Sequence, residues 1–170
     1  TLLLGGLELG HTMYVRAILR GQVEKAARDL SLESSSGPLG TDPVLARIRR
    51  NVQAVASSAQ VTFVTTAYHD YKSARDRAEE YDDRNHDGRC DANESYVDAN
   101  NNNQWDIDSG VAGRGGAKDV VLFTATATYP RLALGRFFGS SDIVRLQAST
   151  LLRNQPSDDQ SAAALRSCPA

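Results

Sequence analysis

One acidic pattern occurs twice in this chain, first in residues 83–94 and again from residue 98, at an offset of fifteen residues. In the first copy, oxygen-bearing side chains stand at the first, third, fifth and ninth positions, glycine at the sixth and glutamate at the twelfth. These residues are Asp83, Asn85, Asp87, Asp91, Gly88 and Glu94. Because alternate residues of a tight loop can point at one centre, this spacing constrains the segment to fold around a common point.

The second copy is less complete than the first. It repeats the spacing with Asp98, Asn100, Asn102 and Asp106. Asn103, however, stands where the first copy has glycine, and Ser109 stands where it has glutamate.

The donor set is that of a calcium-binding loop of EF-hand type. Ca²⁺ is a hard cation that takes six to eight oxygen ligands, the glycine allows the sharp turn, and the glutamate can supply two oxygens. At the seventh position the backbone carbonyl is the ligand, which assigns Arg89 to the first loop and Gln104 to the second. The pattern predicts Ca²⁺ in the first loop and allows a second ion in the next. The alternative is a solvated surface segment with Asx turns. Mg²⁺ is disfavoured because it seldom uses cages built wholly of protein oxygens.

Length, net charge and cysteine count limit the number of domains and the kinds of function that this chain can have. The 170 residues suit one domain, and a net charge of −2 gives no field for nucleic acid. The two cysteines, Cys90 and Cys168, form no CxxC motif, which argues against zinc and thioredoxin-type chemistry. In an oxidising compartment they could pair and tie the C-terminal tail to the first loop. The alternative is a buried Cys90 at the eighth loop position and a Cys168 in a disordered tail.

The N-terminal residues 2–33 carry a helical period, apolar all round in the first third and amphipathic afterwards. The residues expected on the inward face are Leu7, Tyr14, Ile18, Val23, Ala26, Ala27 and Leu30. The apolar start is too short to span a bilayer and is typical of the downstream end of a longer hydrophobic helix. The alternative is an ordinary core helix.

Three residues of this helix indicate an assembly role. Gly6 and Gly10 form a G-x-x-x-G helix-packing signal. Glu8 lies in the apolar part, where a carboxylate needs a polar partner from a neighbouring subunit or from its own upstream chain.

The remaining chain predicts an α+β fold. A second amphipathic helix is expected over residues 43–56, and three alternating, β-branched segments predict antiparallel strands over 61–68, 120–129 and 143–152. The predicted organisation is a helix over 1–33 and a head domain over 34–170, with a calcium-binding insertion at 82–109 between the first two strands. A connection of that length needs its own organiser, and Ca²⁺ would be that organiser.

Catalytic motifs are missing from the sequence. His11, His69 and His86 are scattered, and no G-x-S-x-G or H-E-x-x-H occurs. The glycine-rich residues 110–118 lack the G-K-[ST] of a phosphate loop and are better explained as a tight turn into the next strand. We therefore expect a protein that is not an enzyme.

Residues 3–10 (LLGGLELG), the pair Tyr14 and Val15, and the Ala-Ala-Arg patch at 26–28 resemble the end of the N-terminal segment of TadE-like proteins. These are pseudopilins of the bacterial Tad (Flp, tight adherence) pilus system. Residues 150–156 resemble the end of the last strand in many such proteins, and residues 119–131 resemble the strand before it. The upstream segment that a prepilin peptidase would cut is not part of this sequence, and tandem calcium loops do not define the family.

The resemblance implies a minor pilin-like assembly subunit with a pilin-like N-terminal helix. Its partners would be other pilus or pseudopilin subunits and, before assembly, the inner membrane. Its head would lie in the periplasm or on a surface pilus. Two alternatives are a secreted calcium-binding adhesion module of dockerin type and the extracytoplasmic part of another membrane-anchored protein, such as a sensor. The dockerin alternative is disfavoured because only three residues separate Glu94 from Asp98.

Overall fold

The computed structural model describes residues 2–32, 43–131, 143–154 and 160–169. An N-terminal helix is followed by a small antiparallel sheet, so the fold is α+β. The helices are α1 (Leu2–Leu32), α2 (Pro43–Gln53) and α3 (Tyr71–Asp76). The strands are β1 (Gln60–Tyr68), β2 (Ser95–Asp98), β3 (Val111–Ala112), β4 (Val120–Pro130), β5 (Ile143–Arg153) and β6 (Ala164–Ser167). Four strands form a sheet in the order β3-β1-β4-β5, and β2 pairs with β6 in a separate ribbon.

The chain divides into two compact units. The first comprises residues 1–64 and 123–151, and the second comprises residues 65–122 and 152–170. Strands β1, β4 and β5 contribute residues to both. The paired acidic segments, β2, β3 and β6 all belong to the second unit.

The first unit packs α1 against α2. One stripe of α1 is buried, at the helical spacing that a core-facing helix requires, and it consists of Glu8, Val15, Leu19, Val23, Ala26 and Leu30. The facing helix α2 buries Val44, Leu45, Ile48 and Val52. Polar contacts at the edge of this interface join Arg47 to Asp29 and Asn51 to Gln22.

For the first half of α1, the predicted inward face is not the face that is buried. Leu7 and Tyr14 are 63% and 58% exposed, whereas the adjacent Glu8 and Val15 are buried. Where every face of a helix is apolar, periodicity cannot choose between neighbouring stripes, so tertiary packing decides. In the second half, charged residues define the outer face, and the expected burial of Val23, Ala26 and Leu30 is confirmed.

Strand β4 provides the centre of this core. Phe123, Ala125, Ala127 and Tyr129 alternate inward, as expected for a sheet covered on one face. Phe123 stacks on Phe63 at a centroid separation of 5.9 Å. His11 of α1 meets Tyr129 edge-on at 5.7 Å, so this histidine serves the packing of the helix on the strand.

In the second unit, the glycine-rich segment makes a tight turn, as expected. β3 pairs with the end of β1, with Ala67 opposite Val111. Gly115 has φ of +64°, and a Cβ there would lie 2.6 Å from that of Ala67, so only glycine fits this approach.

Candidate cation site

Two acidic loops are joined back to back by a short antiparallel contact. We define loop 1 as residues 83–94 and loop 2 as residues 98–109. Tyr81 and Tyr96, each two residues before the first aspartate of a loop, form an antiparallel bridge. Around it the N–H of Asp82 donates to the carbonyl of Ser95 at 2.8 Å, and the N–H of Val97 donates to the carbonyl of Glu80 at 2.8 Å. The loops are therefore related by a local pseudo-twofold axis at this bridge.

Loop 1 turns around its first aspartate. The Asp83 carboxylate accepts the N–H groups of Asp87 at 3.2 Å and Gly88 at 3.1 Å. Gly88 has φ of +78°, the left-handed conformation that the sequence predicts at the sixth position. The fifth-position carboxylate of Asp87 accepts the N–H of Arg89 at 2.9 Å.

Glu94 closes loop 1. One of its oxygens accepts the N–H of Arg84 at 2.9 Å and the other that of Asp91 at 3.3 Å, which are the second and ninth loop positions. Glu94 is only 4% exposed. The amide of Asn85 lies 3.1 Å from a carboxylate oxygen of Asp87 and 3.4 Å from one of Asp91. Loop 1 therefore brings the third, fifth and ninth side chains together, with the twelfth bound to the same turn.

Like charges are crowded in loop 1. The pKa of Asp91 is raised, first by burial and then by the neighbouring carboxylates of Asp87 and Glu94. The pKa of the Tyr81 hydroxyl is raised as well, by burial and by the loop's carboxylates. A cation among these groups would relieve the repulsion, because an opposite charge favours their ionised forms.

Loop 2 repeats the geometry of loop 1. The Asp98 carboxylate accepts the N–H groups of Asn102 and Asn103, each at 3.0 Å. Asn103 has φ of +68°, so asparagine takes the turn that glycine makes in loop 1, at a position where its side chain is tolerated. The side-chain amides of Asn100 and Asn102 both donate to Asp106, at 2.9 Å and 2.6 Å.

The seventh positions also correspond. The N–H of Gln104 donates to the side-chain oxygen of Asn102 at 2.7 Å, as that of Arg89 does to Asp87. Both residues are exposed.

Glu79 closes loop 2. The spacing within the loops does not predict this role, because Glu79 lies outside both of them. Its carboxylate accepts the N–H of Ala99 at 2.8 Å and of Asp106 at 3.1 Å, again the second and ninth positions. It is 3% exposed, and burial raises its pKa although these two N–H groups act in the opposite direction. Ser109, the twelfth residue of loop 2, does not take the place of the glutamate.

A longer repeat in the sequence would have revealed Glu79. The segments Glu79-x-Tyr81-x-Asp83 and Glu94-x-Tyr96-x-Asp98 match at the same fifteen-residue offset as the loops. The repeat therefore starts four residues before each loop.

Arg166 is a second residue that sequence reasoning missed. It lies on β6, and its guanidinium pairs with the Asp98 carboxylate, which has no exposed surface. Burial, the largest influence, acts to raise the pKa of Asp98. The bonds from Arg166 and from the N–H groups of Asn103 and Asn102 outweigh it, so the pKa lies below its usual value. The pairing spans 68 residues of sequence, and no local pattern signals it.

A disulfide joins loop 1 to Cys168, the residue that follows β6. Cys90 and Cys168 are bonded, with their Cα atoms 5.3 Å apart, as the pairing considered from the sequence requires. The N–H of Cys168 also donates to the carbonyl of Glu94 at 2.9 Å. β6 is thus attached to loop 1 by the disulfide and to loop 2 by Arg166.

The oxygen-bearing side chains of the two loops are of the type that binds a hard cation, although they are not arranged as a metal coordination shell. In the part of the chain that the structure describes, no group of three or more His, Cys, Asp and Glu side chains is arranged to hold a metal ion. EF-hand loops also draw on asparagine and carbonyl oxygens, which both loops offer. The carboxylate oxygens here accept backbone and amide N–H groups of their own loops.

The predicted assembly residues lie on α1. Glu8 is 5% exposed and has an interaction within the chain. It borders a cavity of about 400 Å³ that Thr12, Arg131 and Arg145 also line. A Cβ added at Gly6 or Gly10 would meet nothing within 4 Å.

The N-terminal half of α1 has exposed apolar side chains. They are Leu3, Leu7, Leu9, Met13 and Tyr14, each more than half exposed. Among the helices of the described residues, none combines the length and the apolar character needed to cross a bilayer.

Comparison with protein-family models, curated proteins and solved structures found no match.

Proposed function

We propose that this protein is a structural subunit of a bacterial surface fibre, a TadE-like minor pseudopilin of a Tad-type pilus. The observation that carries the proposal is that α1 has both a buried stripe and an exposed apolar surface. Its inner stripe packs on α2 and β4, while the N-terminal half keeps exposed apolar side chains and open glycines on its other faces. Such a surface needs a partner, because apolar area left in water is unfavourable.

The proposed partners are neighbouring pilus subunits and, before assembly, the inner membrane. Gly6 and Gly10 would let a second helix approach the backbone of α1 closely. The head would then lie in the periplasm or on the fibre. The disulfide supports this placement, because disulfides persist in oxidising compartments.

The head would be stabilised by Ca²⁺. In loop 1 the ligands would be Asp83, Asn85, Asp87, Arg89 through its carbonyl, Asp91 and Glu94. In loop 2 they would be Asp98, Asn100, Asn102, Gln104 through its carbonyl, Asp106 and, in place of a twelfth-position glutamate, Glu79. The ion would lie among the carboxylates of Asp83, Asp87, Asp91 and Glu94 and balance their negative charge. It has no catalytic part in this proposal.

The alternative is a surface calcium-binding adhesion module without a pilus role. The paired loops and their disulfide favour a calcium-responsive exterior protein in either case. The segment between the loops is strand β2, whereas dockerin loops are separated by paired helices, which disfavours the dockerin version.

Deletion of the protein in its native host tests the assembly role. We expect loss or marked reduction of piliation, restored by the wild-type chain, and co-purification with other pilus components. Normal piliation after deletion would contradict the proposal. Removal of residues 1–33 alone is a poor test, since Val15, Leu19 and Val23 belong to the core of the first unit. Substitutions on the exposed face of α1 avoid this difficulty.

A further inference from the structure

The two loops differ in how their negative charge is balanced. The carboxylates of loop 1 accept N–H groups of the loop backbone and of Asn85. Arg84 directs its guanidinium to Asp82, which precedes the loop and is exposed. In loop 2, by contrast, the guanidinium of Arg166 contacts the first-position carboxylate itself.

Burial makes this contact more important than a surface ion pair. The Asp98 side chain has 0% exposure and that of Arg166 36%. A buried carboxylate needs both hydrogen bonds and a counter-charge, and removing one partner of a buried pair leaves an uncompensated charge. Asp98 also orients the turn of loop 2 through the N–H groups of Asn102 and Asn103. The guanidinium therefore acts on the carboxylate around which the loop folds.

We propose that Arg166 is the built-in cation of loop 2, so that loop 2 keeps its folded geometry without a metal ion. The C-terminal strand delivers this charge, since β6 pairs with β2 in the register Tyr96 to Arg166 and is fastened by Cys168. Ca²⁺ is then needed for the order of loop 1 but not for that of loop 2. Because the guanidinium occupies the Asp98 carboxylate, any ion in loop 2 has to displace it or share it.

The single tryptophan reports on loop 2. The indole N–H of Trp105 donates to the carbonyl of Glu79 at 3.0 Å, and its ring contacts Tyr81 at 5.3 Å. Fluorescence of Trp105 and amide hydrogen exchange over 98–106 therefore measure the order of this loop. The experiment compares the full chain with its Arg166→Gln and Arg166→Lys variants, each in chelator and in millimolar Ca²⁺. Arg75→Gln is the control for loss of one positive charge, because Arg75 pairs with its exposed neighbour Asp76.

In chelator, we expect wild type, Arg166→Lys and Arg75→Gln to keep the Trp105 fluorescence unchanged and the loop protected. Arg166→Gln should exchange at least about tenfold faster over 98–106. The double variant Asp98→Asn with Arg166→Gln should recover protection, because it removes the buried charge together with its partner. This comparison remains decisive if Arg166→Gln alone fails to fold.

The proposal would be overturned by loosening of wild-type loop 2 in chelator, by unchanged protection in Arg166→Gln, or by no recovery in the double variant. Equal loosening by lysine and glutamine would also overturn it, since positive charge would not be the stabilising property. All of these measurements are made without metal, so they remain valid if loop 1 does not bind Ca²⁺.

Discussion

Glu79 and Glu94 hold equivalent positions, four residues before Asp83 and Asp98, and each closes the loop that begins four residues after the other. Glu94 precedes loop 2 in the chain and closes loop 1, whereas Glu79 precedes loop 1 and closes loop 2. Each binds the N–H groups of the second and ninth positions of its loop, and each is nearly fully buried. This reciprocal arrangement follows from the antiparallel bridge between Tyr81 and Tyr96, which places the residues before one loop beside the other.

Calcium should stabilise the head through loop 1. With a Kd on the order of 10⁻⁴–10⁻³ M, millimolar Ca²⁺ adds about 0.4–1.4 kcal/mol to the free energy of unfolding. Melting in Ca²⁺ and in chelator measures this shift. Asp87→Ala should abolish it, and Asp82→Ala should retain it because Asp82 lies outside the loop and is exposed. Identical midpoints in both solutions for wild type and Asp87→Ala alike would contradict the prediction.

Glu79→Ala should destabilise the second unit even without metal. The change leaves the part-buried N–H groups of Ala99 and Asp106 without their acceptor, at a cost of about 1–3 kcal/mol. Glu80→Ala is the matched control, since Glu80 is exposed and pairs only at the surface with Lys72, so we expect a change within about 0.5 kcal/mol. Urea unfolding of the two variants in chelator separates the effects. Equal stability of the two variants would show that Glu79 does not hold loop 2.

Most of the regular structure could be predicted from the sequence because its periodicity is strong. The helices at 2–33 and 43–56 and the strands at 61–68, 120–129 and 143–152 agree with the structure to within about three residues at each end. The short elements α3, β2, β3 and β6 could not be predicted, because two to six residues carry no readable period and their pairing depends on distant segments.

For the candidate site, the sequence predicted features within each loop but not the contacts that residues outside the loops make with them. Within each loop, spacing identifies the turn residues, and the left-handed glycine at 88 appears where expected. Glu79 required recognition of a repeat longer than the loop, and Arg166 required knowledge that β6 pairs with β2. Likewise, in the first half of α1 the buried residues differ by one position from those predicted, because an apolar segment presents several equivalent faces.

Loss of the disulfide should destabilise the second unit. Cys90 and Cys168 are 78 residues apart, and closing a loop of that length is worth roughly 4 kcal/mol in the chain-entropy model. The double variant Cys90→Ser with Cys168→Ser should unfold at lower denaturant concentration and exchange amides faster over 164–168. Peptide mapping without reduction, on protein from its native compartment, checks the bond itself. Two free thiols there would contradict the prediction.

Two neighbouring faces of α1 should respond differently to substitution. Leu19 is fully buried, so Leu19→Ala should cost about 2–5 kcal/mol through lost contacts and the cavity left behind. Tyr14, which is 58% exposed, should tolerate Tyr14→Gln with a change within about 0.5 kcal/mol. Chemical unfolding followed by circular dichroism measures both.

The same exposed face should matter for assembly if the proposed function is correct. Leu7→Gln combined with Tyr14→Gln should leave the melting temperature of the isolated protein nearly unchanged, because neither side chain belongs to the buried stripe. In the native host the double variant should nevertheless reduce piliation and co-purification with pilus components, since it replaces apolar contact area by polar groups. Arg20→Gln, on an exposed part of the same helix, serves as the matched control. Normal assembly by the Leu7 and Tyr14 double variant would remove this face from the proposed interface, whereas a large loss of stability would show that the face is buried within the chain.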